Sequence, residues 1–167
     1  MMAISGVIEM SVSFYPYVLI NGQWSFPDGV ANKFHAEFVP EFNTPEYDAW
    51  MDGKLDLPNP EYDSRFDVNM ADRNAAFVLN ELGFPADRDA MYNSPPMTID
   101  AFEAGLRATI ACNPQPVYGI AGCDINDGGP RMFDLGVADG YANRRFDDLL
   151  RLAEAAREYG ATHIGWG

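Results

Sequence analysis

The stretch YANRRFDDLLRLAEAAREYGATHIGWG, residues 141–167, carries the reading on which the fold turns. Phe146, Leu149, Leu150, Ala153 and Ala156 recur at the spacing that lays one apolar stripe along a helix, which predicts a helix from Tyr141 to Tyr159. Asp139 is the expected cap at its start. Gly160 follows the last periodic residue, where a left-handed backbone is cheap for glycine, so the helix is expected to stop there. Ala161 to Trp166 then reads as a strand. On the opposite face Asp147 precedes Arg151 by four residues and Glu154 precedes Arg157 by three, so ion pairs along a solvated face are expected.

Immediately upstream, Val117–Cys123 and Arg131–Leu135 read as strands joined by the turn-forming run from Asp124 to Pro130. The same run invites a calcium-loop reading. Counted from Asp124, the fifth, sixth and twelfth positions are Gly128, Gly129 and Leu135. An EF-hand needs oxygen ligands at the first and last of these, so the hairpin reading is preferred. A helix with one apolar stripe needs a sheet to cover, and these strands predict one.

Further upstream, Ile8, Met10, Val12 and Phe14 alternate with polar residues as a half-buried strand does. Met10 is a second candidate start beside Met1. Tyr17–Ile20, Asn21-Gly22 and Gln23–Phe26 form a hairpin signal, because Asn and Gly both tolerate the positive φ of a type I′ turn. Asn69 is the expected cap of a helix over Met70–Leu82, with Ala71, Ala75, Val78, Leu79 and Leu82 inward and Gly83 ending it. Thr98 is the expected cap of a helix through Ala111, with a Met97–Phe102 staple and Ile99, Leu106 and Ile110 inward. The expectation is therefore one α+β domain over residues 1–167. Its mainly antiparallel sheet combines the N-terminal hairpin, the C-terminal hairpin and the closing strand, and packs against about three helices.

Between Phe34 and Phe66 the character changes. Prolines at 40, 45, 58 and 60 break any long regular element. Thr44 and Pro45 suit the start of a short helix over Pro45–Met51. The rest reads as an irregular cover segment in which Tyr47, Trp50 and Tyr62 are interleaved with carboxylates. A loop this long is functional or disordered, and its aromatic content argues for the first.

The chain of 167 residues has a net charge of −14, while residues 141–167 hold four acids against four arginines. The whole excess lies upstream. Such a surface repels phosphate backbones, so direct nucleic-acid binding is not expected. The longest strongly apolar run, Tyr17–Ile20, is far short of the roughly twenty residues that cross a bilayer, so no membrane partner is expected. The N-terminus lacks the basic start and apolar core of a secretion signal, so the cytoplasm is the compartment expected by default. Cys112 and Cys123 have no metal spacing and are expected as free, buried hydrophobes.

No phosphate-binding GxxxxGK[ST] loop, GxGxxG turn or GxSxG elbow occurs. With only His35 and His163, a multi-histidine zinc centre is excluded. His35-Ala36-Glu37 matches the opening of a zinc-deaminase signature whose Pro-Cys-x-x-Cys half is missing. His163 falls in a strand, where a packed histidine is expected. No cofactor is expected.

Three functions follow. The leading one is non-enzymatic binding of a basic protein surface through Tyr47, Trp50, Tyr62, Asp63, Asp67 and Asn69, the rings as anchors and the carboxylates as steering groups. A divalent-metal site or metal-dependent hydrolase would use Asp63, Asp67 and Asp72, with Asn69 beside them. Carbohydrate binding would use the faces of Tyr47, Trp50 and Tyr62.

Overall fold

The computed structural model describes residues 11–84, 93–112, 120–125 and 132–167, with 120–125 and 132–137 described through the backbone. The organising strand is β1, Ser11–Ile20, which runs straight through Pro16 rather than pausing between two shorter strands. On one side it pairs antiparallel with β7, His163–Trp166, through Phe14↔Trp166, Pro16↔Ile164 and Tyr17↔His163. On the other side it pairs with two short strands in turn. β3, Asn69–Ala71, lies along Ser11–Ser13, and β2, Gln23–Ser25, lies along Val18–Ile20. The Phe14 N–H donates to the Val68 carbonyl at 3.0 Å, so even-numbered residues of β1 turn their backbone to that side. Pro16 therefore falls in the gap between β3 and β2, where its missing N–H leaves no ladder bond unmade.

β4, Met97–Thr98, pairs with β7 and completes a five-stranded antiparallel sheet. β5, Ile120–Ile125, and β6, Met132–Val137, pair with each other as a separate two-stranded ribbon. The β1–β2 turn is the expected one: Asn21 and Gly22 have φ of 52° and 81°. The proposed start at Met10, the strand residues Ile8–Met10, the helix end at Asn113-Pro114 and most of the 124–130 turn with its calcium reading lie outside the described residues.

One face of the sheet meets three helices, α2 (Asp72–Glu81), α3 (Ile99–Cys112) and α4 (Tyr141–Glu158). Val12, Phe14, Pro16, Met70, Ile164 and Trp166 all point to that face and are buried. The α+β architecture with a mainly antiparallel sheet is thus as expected. A fourth helix, α1 (Pro45–Met51), lies outside this layer and buries no residue.

The details of α4 depart from the sequence pattern. Its buried stripe is wider than expected, adding Ala142, Leu152 and Ala155, while Leu150 is only half-buried. A helix covered by a sheet and by two neighbouring helices needs a broad apolar face rather than a narrow seam. Each fully buried Leu or Phe in it contributes about 1.5–3 kcal/mol of transfer free energy. Asp139 is not the cap. The N-cap position falls on Gly140 at φ 71°, without a side-chain cap bond. The C-terminus is as expected, with Gly160 at φ 76° and the Ala161 N–H donating to the Ala156 carbonyl at 2.9 Å.

The expected ion pairs along α4 are rearranged by α3. Arg157 donates to Asp100 and Glu103 of α3, and Glu154 faces Arg107 of α3 at 4.0 Å. Arg151 pairs with Asp148, which Arg145 also reaches. That face is shared between helices rather than simply solvated.

Asn69 does not cap α2. It sits in β3, its Nδ2 donating to Ser13 Oγ at 2.7 Å, and the helix starts at Asp72 without a side-chain cap. Pairing Met70 with Val12 buries both side chains, and that burial outweighs the cap. Thr98 does cap α3, accepting from the Ala101 N–H at 3.3 Å. Cys112, free as expected, is exposed rather than buried, because it lies at the last residue of α3. The Cys123 side chain is outside the description.

Candidate functional site

Residues 34–63 hold eight carboxylates against one lysine, Lys54, half of the chain's net −14. The segment leaves the body and returns to it as a short, irregular ribbon. The Phe38 N–H donates to the Leu57 carbonyl and the Asn59 N–H to the Ala36 carbonyl, both at 2.8 Å, and Glu37 bridges Pro58. Asn59, buried among polar partners, locks the base. Its Nδ2 donates to the carbonyls of Asn32 and His35, and its Oδ1 accepts from the Glu61 N–H. A buried amide with its donors and acceptor used costs little and holds one geometry.

α1 forms the far end. Thr44 Oγ1 accepts from the Tyr47 N–H at 3.1 Å and Pro45 takes the first turn, as the sequence predicts. Phe42 meets Tyr47 edge-on at 5.2 Å between ring centroids, and Tyr47 meets Trp50 at 5.9 Å. Trp50 Nε1–H donates to Glu37 Oε2 at 2.8 Å, tying α1 back to the ribbon. Tyr47 and Trp50 are half-buried, within this small aromatic cluster rather than in the main core. Of residues 34–66 only Phe34, Asn59 and Phe66 are buried, and all three lie at the ends where the segment joins the body.

The remaining predicted residues gather at that junction. Tyr62 donates its hydroxyl to Asp67 Oδ2 at 3.0 Å, and burial, with this bond second, pushes the Tyr62 hydroxyl pKa up. Asp63 is gripped by Arg65, whose Nε and Nη2 reach its two oxygens at 2.7 to 3.1 Å. Arg65 also donates to Glu158 of α4 at 2.9 Å. An open cleft beside this network is lined by Ser13, Tyr15, Phe34, His35, Asp67 and Asn69 among others. The six predicted residues thus fall into two groups, Tyr47 and Trp50 on α1, and Tyr62, Asp63, Asp67 and Asn69 at the base.

Neither alternative gains a constellation. Among the described residues no three His, Cys, Asp or Glu side chains are gathered as metal ligands, and Asp63 would have to release Arg65 to become one. Tyr47 and Trp50 pack on each other, while the Tyr62 hydroxyl is bonded to Asp67 at the base and, among the described residues, its ring makes no contact with theirs.

Arg65 makes a testable latch between segment and α4. Its hydrogen bonds hold the Asp63 carboxyl below the usual carboxylate range, and Glu158 is lowered by the same guanidinium. A depressed folded-state pKa gives stability that is complete above the unfolded value, about pH 4, and is lost as pH falls through the folded value. Arg65→Leu is expected to cost up to about 1 kcal/mol near neutral pH through the partly buried Asp63 pair, and to flatten the acid limb of a stability–pH profile. An acid limb identical to that of the unaltered protein would show that the latch carries no linkage.

Sequence periodicity missed two sets of exposed apolar groups. Phe38, Val39, Phe42 and Met51 lie on the excursion, 48–70 % exposed. Leu19, Ile20, Trp24 and Phe26 lie on the β1–β2 hairpin, 40–51 % exposed. On the sheet face away from the helices Trp24 meets His163 at 4.7 Å and Phe26 stacks on Tyr17 at 5.5 Å. The one available signal for the first set was that Phe38, Val39 and Phe42 lie between prolines on no regular element, with no stripe through which to be buried. No family model matches the chain, and neither the curated proteins nor the solved structures yield a significant match.

Proposed function

We propose that this protein is a non-enzymatic binding module that docks a basic protein surface on the excursion 34–63. The observation that carries the reading is α1: a helix that buries none of its residues and ends on exposed Met51, in an acidic excursion that also exposes Phe38, Val39 and Phe42. Exposed aromatic and methionine side chains are the usual anchors of protein interfaces, and the surrounding negative charge supplies steering and selects a basic partner. The same charge repels nucleic-acid phosphates, which leaves direct binding of DNA or RNA out of the reading. No described helix is long and apolar enough to cross a membrane. An exposed free thiol at Cys112 suits a reducing compartment, and the cytoplasm is the compartment proposed.

The test is capture of partners by the immobilised chain, compared with a Phe42→Ser/Met51→Ser variant, at low and high salt. Both side chains are exposed, so the variant keeps its stability within about 0.5 kcal/mol. The expected result is a basic protein retained by the unaltered chain, lost from the variant and weakened by salt. Capture that ignores both the substitutions and the salt would remove the reading.

A further inference from the structure

The excursion carries a cleft beside Glu37 whose lining is specific about what it would hold. Its walls are Glu37, Trp50, Met51, Gly53, Leu55 and Asp56. The Trp50 indole is held in place by Glu37 Oε2, and a carboxylate with one acceptor oxygen so engaged has the other for a second donor. Asp56 is exposed, and among the described residues neither Glu37 nor Asp56 is paired with a lysine or arginine. Lys54, the one basic side chain of the excursion, is turned to Asp52 at 2.7 Å. A Cβ placed on Gly53 would meet nothing within 4 Å, so that wall is open to an incoming group.

An indole, two carboxylates without a counter-charge and two aliphatic side chains make a complementary set for one chemistry. A guanidinium is planar, stacks on aromatic faces and forks onto carboxylates, while its methylene stem suits apolar walls such as Met51 and Leu55. A lysine ammonium answers the charge and not the plane. We infer that this cleft takes an arginine side chain of the partner, its guanidinium against Trp50 and within reach of Glu37 and Asp56. The inference rests on the docking reading above and names the anchor that the docked surface must present.

The experiment follows the Trp50 indole N–H signal of the ¹⁵N-labelled full chain, assigned with Trp50→Phe. The chain is titrated with a short Arg-Gly repeat peptide, its citrulline counterpart and its lysine counterpart. Citrulline keeps the shape of arginine and loses the charge. The arginine peptide is expected to shift the Trp50 signal, with binding weaker by about tenfold for citrulline and by a smaller factor for lysine. Glu37→Gln and Asp56→Asn are each expected to weaken the arginine peptide about five-fold. The amide oxygen introduced by Glu37→Gln still accepts from the indole, and an unchanged unfolding midpoint checks that both variants stay folded. Citrulline or lysine binding as tightly as arginine, or an unaltered titration in the double variant, would overturn the inference, as would no shift with any peptide. Partner capture that is lost in Phe42→Ser/Met51→Ser but survives Glu37→Gln/Asp56→Asn would overturn the arginine anchor alone and leave the docking reading standing. Capture indifferent to either pair would remove both.

Discussion

Replacing Phe14 by alanine is expected to remove about 3–5 kcal/mol of unfolding free energy, a large share of the roughly 5–15 kcal/mol typical of a domain. Phe14 is 0 % exposed and lies within β1, which pairs with three other strands. Its ring faces Trp166 at 5.9 Å, and Trp166 in turn stacks on Phe84 at 5.8 Å, so the ring connects β1 and β7 to the aromatic layer beneath the helices. Truncation loses the transfer free energy of the ring and leaves a cavity that a paired strand cannot collapse into. Urea unfolding should show a lower midpoint with an unchanged slope. Phe42→Ala, at a ring 70 % exposed on the excursion, is the matching control and should stay within about 0.5 kcal/mol of the parent. A small loss at Phe14 together with a large one at Phe42 would invert the assignment of core and exposed excursion.

Gly165→Val is expected to cost about 1–3 kcal/mol, although valine is the better strand former. A Cβ at this position would lie 2.9 Å from Tyr17 Cε2 and 3.2 Å from Pro96 Cγ, so a side chain has no room unless a ring moves. The ring is not free to move. Tyr17 is stacked on Phe26 at 5.5 Å and meets Tyr15 and Trp24 edge-on, each at 6.5 Å. The cost is therefore steric. Tyr17→Ala made alongside Gly165→Val should recover part of it, a coupling that a double-mutant cycle over urea midpoints would read directly. Simple additivity of the two losses would show that Tyr17 is not what excludes the side chain.

The two substitutions bear on different halves of the molecule's design. Phe14 holds the sheet to the helices, whereas Gly165 lets an aromatic row settle on the opposite sheet face. The excursion depends on neither for its own shape, since Asn59 and the Glu37–Trp50 bond hold it locally. Variants at its tip therefore test the proposed docking with little expected change in the core, and an unchanged unfolding midpoint checks this.

Features closed within a few residues were legible in the amino-acid order. The Asn21-Gly22 turn, the Thr44-Pro45 start of α1, the Thr98 cap of α3 and the stop at Gly160 each depend on one backbone angle or one hydrogen bond to a near neighbour. The apolar stripe of α4 was legible because its period is set by helix geometry alone. The concentration of carboxylates and prolines between Phe34 and Phe66 needed only counting. What residues distant in sequence supply was not legible. Asn69 reads as a cap until β1 offers Met70 a place opposite Val12, and Arg157 reads as a partner of Glu154 until α3 brings Asp100 and Glu103 alongside. Ile8–Phe14 and Tyr17–Ile20 read as separate strands until the gap between β2 and β3 makes the missing donor of Pro16 harmless and one strand runs through it. Whether Tyr47 and Trp50 would sink into the core or stay with Glu37 outside it was likewise a question of which surfaces meet. A ring's hydrophobicity says that it gains from burial, and only the arrangement of the whole chain determines whether its own core or a partner provides it.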